Sequence, residues 1–240
     1  MRIAAPEVVE NMTGSSPAGR HARTTEPRQA QVDVWFDPQC PWAWLTSRWL
    51  LEVATVRPID VRFHLMSLYL LNADKEMPAE RRDRLELGRG IGRVVMAAAK
   101  EYGDGVLAPL YTALGRRLHN ERREPGKEIV SEALAEAGLP VDLLAAWESA
   151  DSDALVEASH TDGQGRVGLD VGTPIISVEG VSFFGPVVTP APIGEAAGLL
   201  WDGVLLVAAT PGFYELKRTR DEPPDFEAGA VPLHSAITGC

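Results

Sequence analysis

Between residues 32 and 36 the chain alternates Val32, Val34 and Phe36 against Asp33 and Trp35. A period of two, rich in β-branched and aromatic side chains, predicts a strand. From 42 to 56 the spacing changes: Trp44, Leu45, Trp49, Leu50 and Val53 recur near the helical period, so a helix follows, and Arg57-Pro58 ends it. Alternation returns over 59–66, with Val61, Phe63 and Leu65 set against Arg62, His64 and Met66, which predicts a second strand parallel to the first. The opening unit is β-α-β.

After Ser67-Leu68-Tyr69-Leu70-Leu71-Asn72 the composition shifts to helix formers and charge. Helical periodicity marks 79–102, 105–120, 127–137, 140–148 and 151–165, separated by Gly103-Asp104-Gly105, Glu124-Pro125-Gly126 and Gly138-Leu139-Pro140. Strand signals return over 173–178 and again over 181–184, joined by Glu179-Gly180 as a tight hairpin turn. A last helix spans about 193–208. Its apolar stretch contains Asp202 and Gly203 and reads as a buried helix, short of the ~20 apolar residues that a membrane span needs.

The chain has 240 residues and a formal net charge of −11. That length suits one large domain or a domain with an inserted subdomain. The negative charge argues against a nucleic-acid backbone or an anionic membrane as partner. Residues 1–31 hold no apolar core of a signal peptide and read as a disordered extension, within which Met12 is an alternative start. Two cysteines cannot build a disulfide framework, and a solitary thiol fits a reducing compartment, so the expected location is cytoplasmic.

The chemistry centres on Cys40, between Asp37-Pro38 and Pro41-Trp42, where the first strand hands over to the helix. Unpaired N–H groups and the positive end of the helix dipole stabilise an anion there. Cysteines at redox helix starts have a pKa of roughly 3.5–7.5 against about 8.5 when free, so a reactive thiolate is expected. Pro41 suits the first helical turn. A redox C-x-x-C motif would place a second cysteine at 43, but that residue is Ala43, so no internal disulfide can form. Redox chemistry must then pass through a mixed disulfide with another molecule or use a distant thiol. Cys240, the last residue, reads as incidental.

The order strand, helix, strand, long helical insert, hairpin, helix is an α/β thioredoxin-like layout with an all-helical insertion. The expected division is a thioredoxin-like domain from 32–72 and 166–217, a helical domain over 73–165 and a flexible tail over 218–240. Three features, Phe36 to Trp44 around Cys40, the helical insert and Gly172-Thr173-Pro174 before the hairpin, together resemble the DsbA-like branch of the thioredoxin superfamily. Within it the chain resembles the actinobacterial mycothiol-dependent nitroreductase family. The carrying stretches are Trp35-Phe36-Asp37-Pro38, Cys40-Pro41-Trp42, Ser67 to Asn72, Gly172-Thr173-Pro174, Phe183-Phe184-Gly185-Pro186, Trp201-Asp202-Gly203 and Thr210 to Lys217, spanning about 31–220. The resemblance implies a cytoplasmic thiol oxidoreductase using mycothiol, acting on nitro or other electrophilic compounds or on disulfides, with a cis peptide at Thr173-Pro174. Ala43 departs from better-known members, which carry a cysteine there, so only a monothiol route carries over.

Other residues frame the expected pocket. Trp42 faces either the core or the cysteine mouth, while Trp44 and Trp49 read as core aromatics. Thr173 is expected to offer its backbone to an extended thiol substrate. Asn72 reads either as an amide donor in the thiol pocket or as a helix N-cap. His119 reads as a helix-surface residue or, as an alternative, a proton shuttle. His64 and His160 have no partner at ligand spacing, so no metal site is expected. Gly90-Ile91-Gly92 follows no strand, and no flavin or nicotinamide fingerprint is visible. The sequence leaves a homodimer open. Rival readings are a kappa-class-like thiol transferase or isomerase and a non-catalytic thioredoxin-fold binding module.

Overall fold

The computed structural model describes residues 29–227. The expectations for the first 28 residues, for 228–240 and for Cys240 lie outside them. Strands β1 (Ala30–Phe36) and β2 (Ile59–Leu65) run parallel and are joined by helix α1 (Pro41–Val56). Strand β3 (Ile175–Val178) lies antiparallel on the other side of β1, and β4 (Val181–Phe184) lies antiparallel to β3. The sheet order is β2-β1-β3-β4. Val34 pairs with Phe63 on one side and Ile176 on the other, so β1 is central and Val32, Val34 and Phe36 are fully buried. β1 begins at Ala30, two residues before the alternation does.

Helix α2 (Leu68–Leu71), α3 (Ala79–Tyr102), α4 (Leu107–Gly115), α5 (Lys127–Glu136) and α6 (Asp153–Val167) lie between β2 and β3, and α7 (Gly194–Ala208) follows β4. The periodic stretch 105–120 divides into a 3₁₀ turn at Asp104–Val106, α4, and a wider π turn over Arg116–Asn120. The stretch at 140–148 is a 3₁₀ helix over Val141–Trp147. Apolar spacing reports which face is buried, and it cannot distinguish i+3, i+4 and i+5 hydrogen bonding. The π turn is held by Arg117, whose guanidinium meets Glu132 and Glu136 of α5 at 3.0 and 2.7 Å and donates to the Ala113 carbonyl. It carries His119 and Asn120 toward the end of β1.

The helices reach the sheet through Tyr111, stacked on Phe36 with ring centroids 3.8 Å apart and edge-on to Trp44. Gly115 allows this approach, because a Cβ there would overlap the Trp44 ring. Trp49 of α1 donates to the Ala197 carbonyl of α7 (3.1 Å), and Arg57, just past the end of α1, pairs with Asp202 and Glu195. Residues 209–227 carry no helix or strand. Where composition predicts a flexible tail from 218, the structure lays Arg220 over Trp42, bonds the Asp225 amide to Thr189 Oγ1 and bonds the Phe226 carbonyl to Asn120.

Candidate active site

At the end of β1, Asp37 folds the chain back. Its carbonyl accepts from the Cys40 amide (2.9 Å) and its Oδ1 from the Gln39 amide (2.8 Å). Cys40 therefore stands as the N-cap of α1, with Pro41 in the first turn. Its Sγ accepts the Ala43 N–H at 3.4 Å and donates to the Thr173 carbonyl at 3.4 Å. The helix-start geometry matches the sequence expectation, but its electrostatic consequence does not. Cys40 is only 6% exposed, and burial pushes its thiol up to about 11, with the Asp37 carboxylate adding to the rise. The Ala43 and Trp42 amides and the Arg220 guanidinium lower it without reversing that. The expected low-pKa thiolate is corrected to a protonated thiol, because loss of hydration outweighs two amide dipoles when the sulfur has almost no contact with water.

The Thr173-Pro174 peptide is cis, and the Thr173 hydroxyl donates to the Trp35 carbonyl at 2.6 Å. The Thr173 carbonyl, expected to stand free for a substrate, is held by the Cys40 thiol in this state. Asp37, which the sequence marked only as part of a turn, is a buried carboxyl pushed up to about 6 by that burial. Its Oδ2 accepts the Leu68 amide (2.7 Å), so one side chain fixes both the cysteine turn and the start of α2. Asp-Pro after a strand was the available signal, and a turn residue explains it equally well.

Trp42 is half-buried, with the Arg220 guanidinium 5.3 Å from its ring centre. Trp44 and Trp49 are buried as expected. Asn72 is neither an N-cap nor a free donor: Ser67 caps α2, while Asn72 ends that helix and its Nδ2 donates to the Leu68 carbonyl at 2.8 Å. A four-residue helix needs both ends closed by local polar groups, and Asn72 lies at the wrong end for an N-cap.

His119 is corrected from a surface residue to a buried one, since the π turn rotates it inward. Its Nε2 meets the Pro38 carbonyl at 2.9 Å, which requires the N–H on that nitrogen. Its ring stacks on Trp44 and lies against Phe226. Burial pulls it down to about 4, so it is neutral at pH 7 and holds the loop before Cys40 instead of carrying a proton. His64 pairs with Asp33 across the strands, and His160 accepts from the Ser67 amide. Among the described residues no group of three His, Cys, Asp or Glu is placed to hold a metal ion, and no helix is long and apolar enough to cross a membrane.

Residues 39–218 match the family described as Rv2466c-like, mycothiol-dependent nitroreductase Rv2466c. Uncharacterized protein Rv2286c of Mycobacterium tuberculosis is 32% identical over 212 residues, covering 87% of this chain and 90% of that protein. The crystal structure of the probable DsbA oxidoreductase SCO1869 from Streptomyces coelicolor superposes with a TM-score of 0.50 at 18% identity, covering 85% of this chain and all of that one. The cytosolic disulfide reductase DsbM from Pseudomonas aeruginosa gives 0.49 at 18% identity, over 73% of this chain and 98% of its own. The chain thus belongs to the Rv2466c-like family, and its fold is the DsbA-like form of the thioredoxin fold.

Proposed function

We propose that this protein is a cytoplasmic thiol-disulfide oxidoreductase that works through a mixed disulfide at Cys40, with mycothiol as its low-molecular-weight thiol. The observation that carries the reading is the placement of Cys40 Sγ at the N-cap of α1 against the Thr173 carbonyl, with Ala43 where a resolving thiol would stand. Cys40 is the free cysteine of the described residues.

The first step is attack of the Cys40 thiolate on one sulfur of a small disulfide, forming Cys40–S–S–R and releasing the other half as RS⁻, which takes up the Cys40 proton. A mycothiol thiolate then attacks the R sulfur and returns the electron pair to Cys40, leaving mycothiol in a mixed disulfide with R. One turn exchanges one disulfide for another and consumes one mycothiol; a second mycothiol thiolate attacking the mycothiol sulfur of that mixed disulfide releases R as its thiol and leaves oxidised mycothiol, so full two-electron reduction of the substrate takes two thiols. Half-buried Trp42 offers a flat wall at the cysteine mouth, Pro41 and the Thr173-Pro174 backbone border the sulfur, and Asn72 and His119 position the surrounding loops. Metal, flavin and nicotinamide have no part in this reading.

The raised Cys40 thiol favours a second reading, a binding module without turnover. Intact mass after exposure to oxidised mycothiol decides between them, with Cys40→Ser as control. A mycothiol-sized adduct on Cys40 supports the oxidoreductase. No adduct at any pH up to 9 supports the module.

A further inference from the structure

We propose that a cavity beside α1 is a binding site for a small monocarboxylate with an apolar body, recognised by Arg48 and separate from the thiol. The cavity has a volume of about 290 Å³, close to the lower end of small-molecule pockets. Among the described residues that line it, Arg48 is the one cation.

Arg48 is in an unusual position for a guanidinium. Its Nη1 donates to Thr112 Oγ1 (3.0 Å), its Nε to Ser47 Oγ (3.2 Å), and its Cζ lies 4.1 Å from the Trp44 ring centre. Its partners among the described residues are thus two neutral hydroxyls and an aromatic face, with no carboxylate. Nη2 is buried and has no hydrogen-bond partner among the described residues. Burial pulls the group down to about 10, as loss of hydration does for a cation. A partly buried charge is stabilised by pairing, and a planar carboxylate is the partner whose geometry fits a guanidinium edge.

The walls select the rest of the ligand. Trp44, Ile193 and Phe226 line an apolar space suited to a flat hydrocarbon body. Glu52 and Asn120 also line it but are occupied, Glu52 by the Gly194 amide (2.7 Å) and Asn120 by Trp44 Nε1 and the Phe226 carbonyl. With Glu52 and Glu227 on the walls, a dianion is disfavoured relative to a monoanion. Cys40, Trp44 and Arg48 follow one another at i, i+4 and i+8 along α1, so the buried Trp44 ring stands between the thiol and the cavity. Nη2 is shielded in this state, so a carboxylate seated on it requires the side chains that cover it to move.

The test is calorimetric unfolding of the full-length protein in sodium benzoate, with benzamide as the neutral isostere and sodium chloride at matched ionic strength. Benzoate is expected to raise the Tm saturably, at least tenfold more potently than benzamide. Arg48→Met should weaken benzoate at least tenfold, and Ile193→Trp, which fills the cavity and leaves Arg48 in place, should do the same. Should Arg48→Met not fold, Ile193→Trp decides. Cys40→Ser should respond to benzoate as the wild type does, so failure of the mixed-disulfide reading leaves this result intact. Equal responses to benzoate and benzamide, no response to benzoate, or an undiminished response in Ile193→Trp would each overturn the proposal.

Discussion

The Cys40 thiol and the Thr173 carbonyl, 133 positions apart in the chain, meet at 3.4 Å. The contact needs the proton on sulfur, because a thiolate facing a carbonyl oxygen would be repelled. Burial, with the Asp37 carboxylate adding to it, keeps the cysteine in that neutral form despite its place at a helix N-terminus.

Alkylation of Cys40 by iodoacetamide should therefore rise about tenfold per pH unit above pH 8 and level off near 11. A plateau reached below pH 8 would show that the helix dipole wins after all. The native state holds this proton more tightly than the unfolded chain, so stability should fall as pH rises from the ordinary thiol range toward 11. Cys40→Ala should lack that fall.

Asp37→Asn removes a carboxylate whose field raises the Cys40 thiol. The thiol midpoint should move down. The same change leaves one of the Gln39 and Leu68 amides facing an NH₂ group, which costs about 1–3 kcal/mol in urea unfolding. An unchanged Cys40 midpoint would mean that Asp37 acts on the fold alone.

His119→Phe keeps a ring between Trp44 and Phe226 and loses the bond to the Pro38 carbonyl. A loss of about 1–3 kcal/mol is expected at pH 7. Because burial lowers the folded-state pKa to about 4, His119 favours the folded state fully above its unfolded value, and that contribution fades as pH falls toward 4. The difference in stability between wild type and variant should accordingly shrink over that window. A constant difference from pH 7 to 4 would argue against a buried neutral imidazole.

Gly115→Ala places a methyl group against the Trp44 ring, which is fixed by Asn120 and Arg48. Overpacking of this kind costs about 1–3 kcal/mol, measurable as a lower urea midpoint. A neutral effect would show that the indole can move, and with it the wall of the Arg48 cavity.

Much of the architecture is readable from local pattern. The alternation at 32–36 and 59–66 and the apolar spacing after Cys40 appear as β1, β2 and α1, because a strand or helix with one buried face writes its own period into the sequence. Cys40 at the helix start and Pro41 in its first turn follow from the same local rules. His119 and Asn72 were misplaced for the opposite reason. Whether a histidine on a helix faces water depends on an i+5 turn that periodicity cannot show, and which end of a four-residue helix an asparagine closes depends on where that helix stops.

By itself the sequence determined the order of the elements, the single thiol at a strand-to-helix corner and the missing partner at Ala43, since each depends on neighbouring residues alone. Only the tertiary structure decided the state of that thiol. Burial, the Asp37 field and the Thr173 carbonyl all reach Cys40 through the folded chain, and hydration lost in three dimensions leaves no mark on the motif. Arg48 is of the same kind: nothing in the helical pattern distinguishes it, and only the elements that close around α1 leave it half-buried beside a cavity with no carboxylate partner among the described residues.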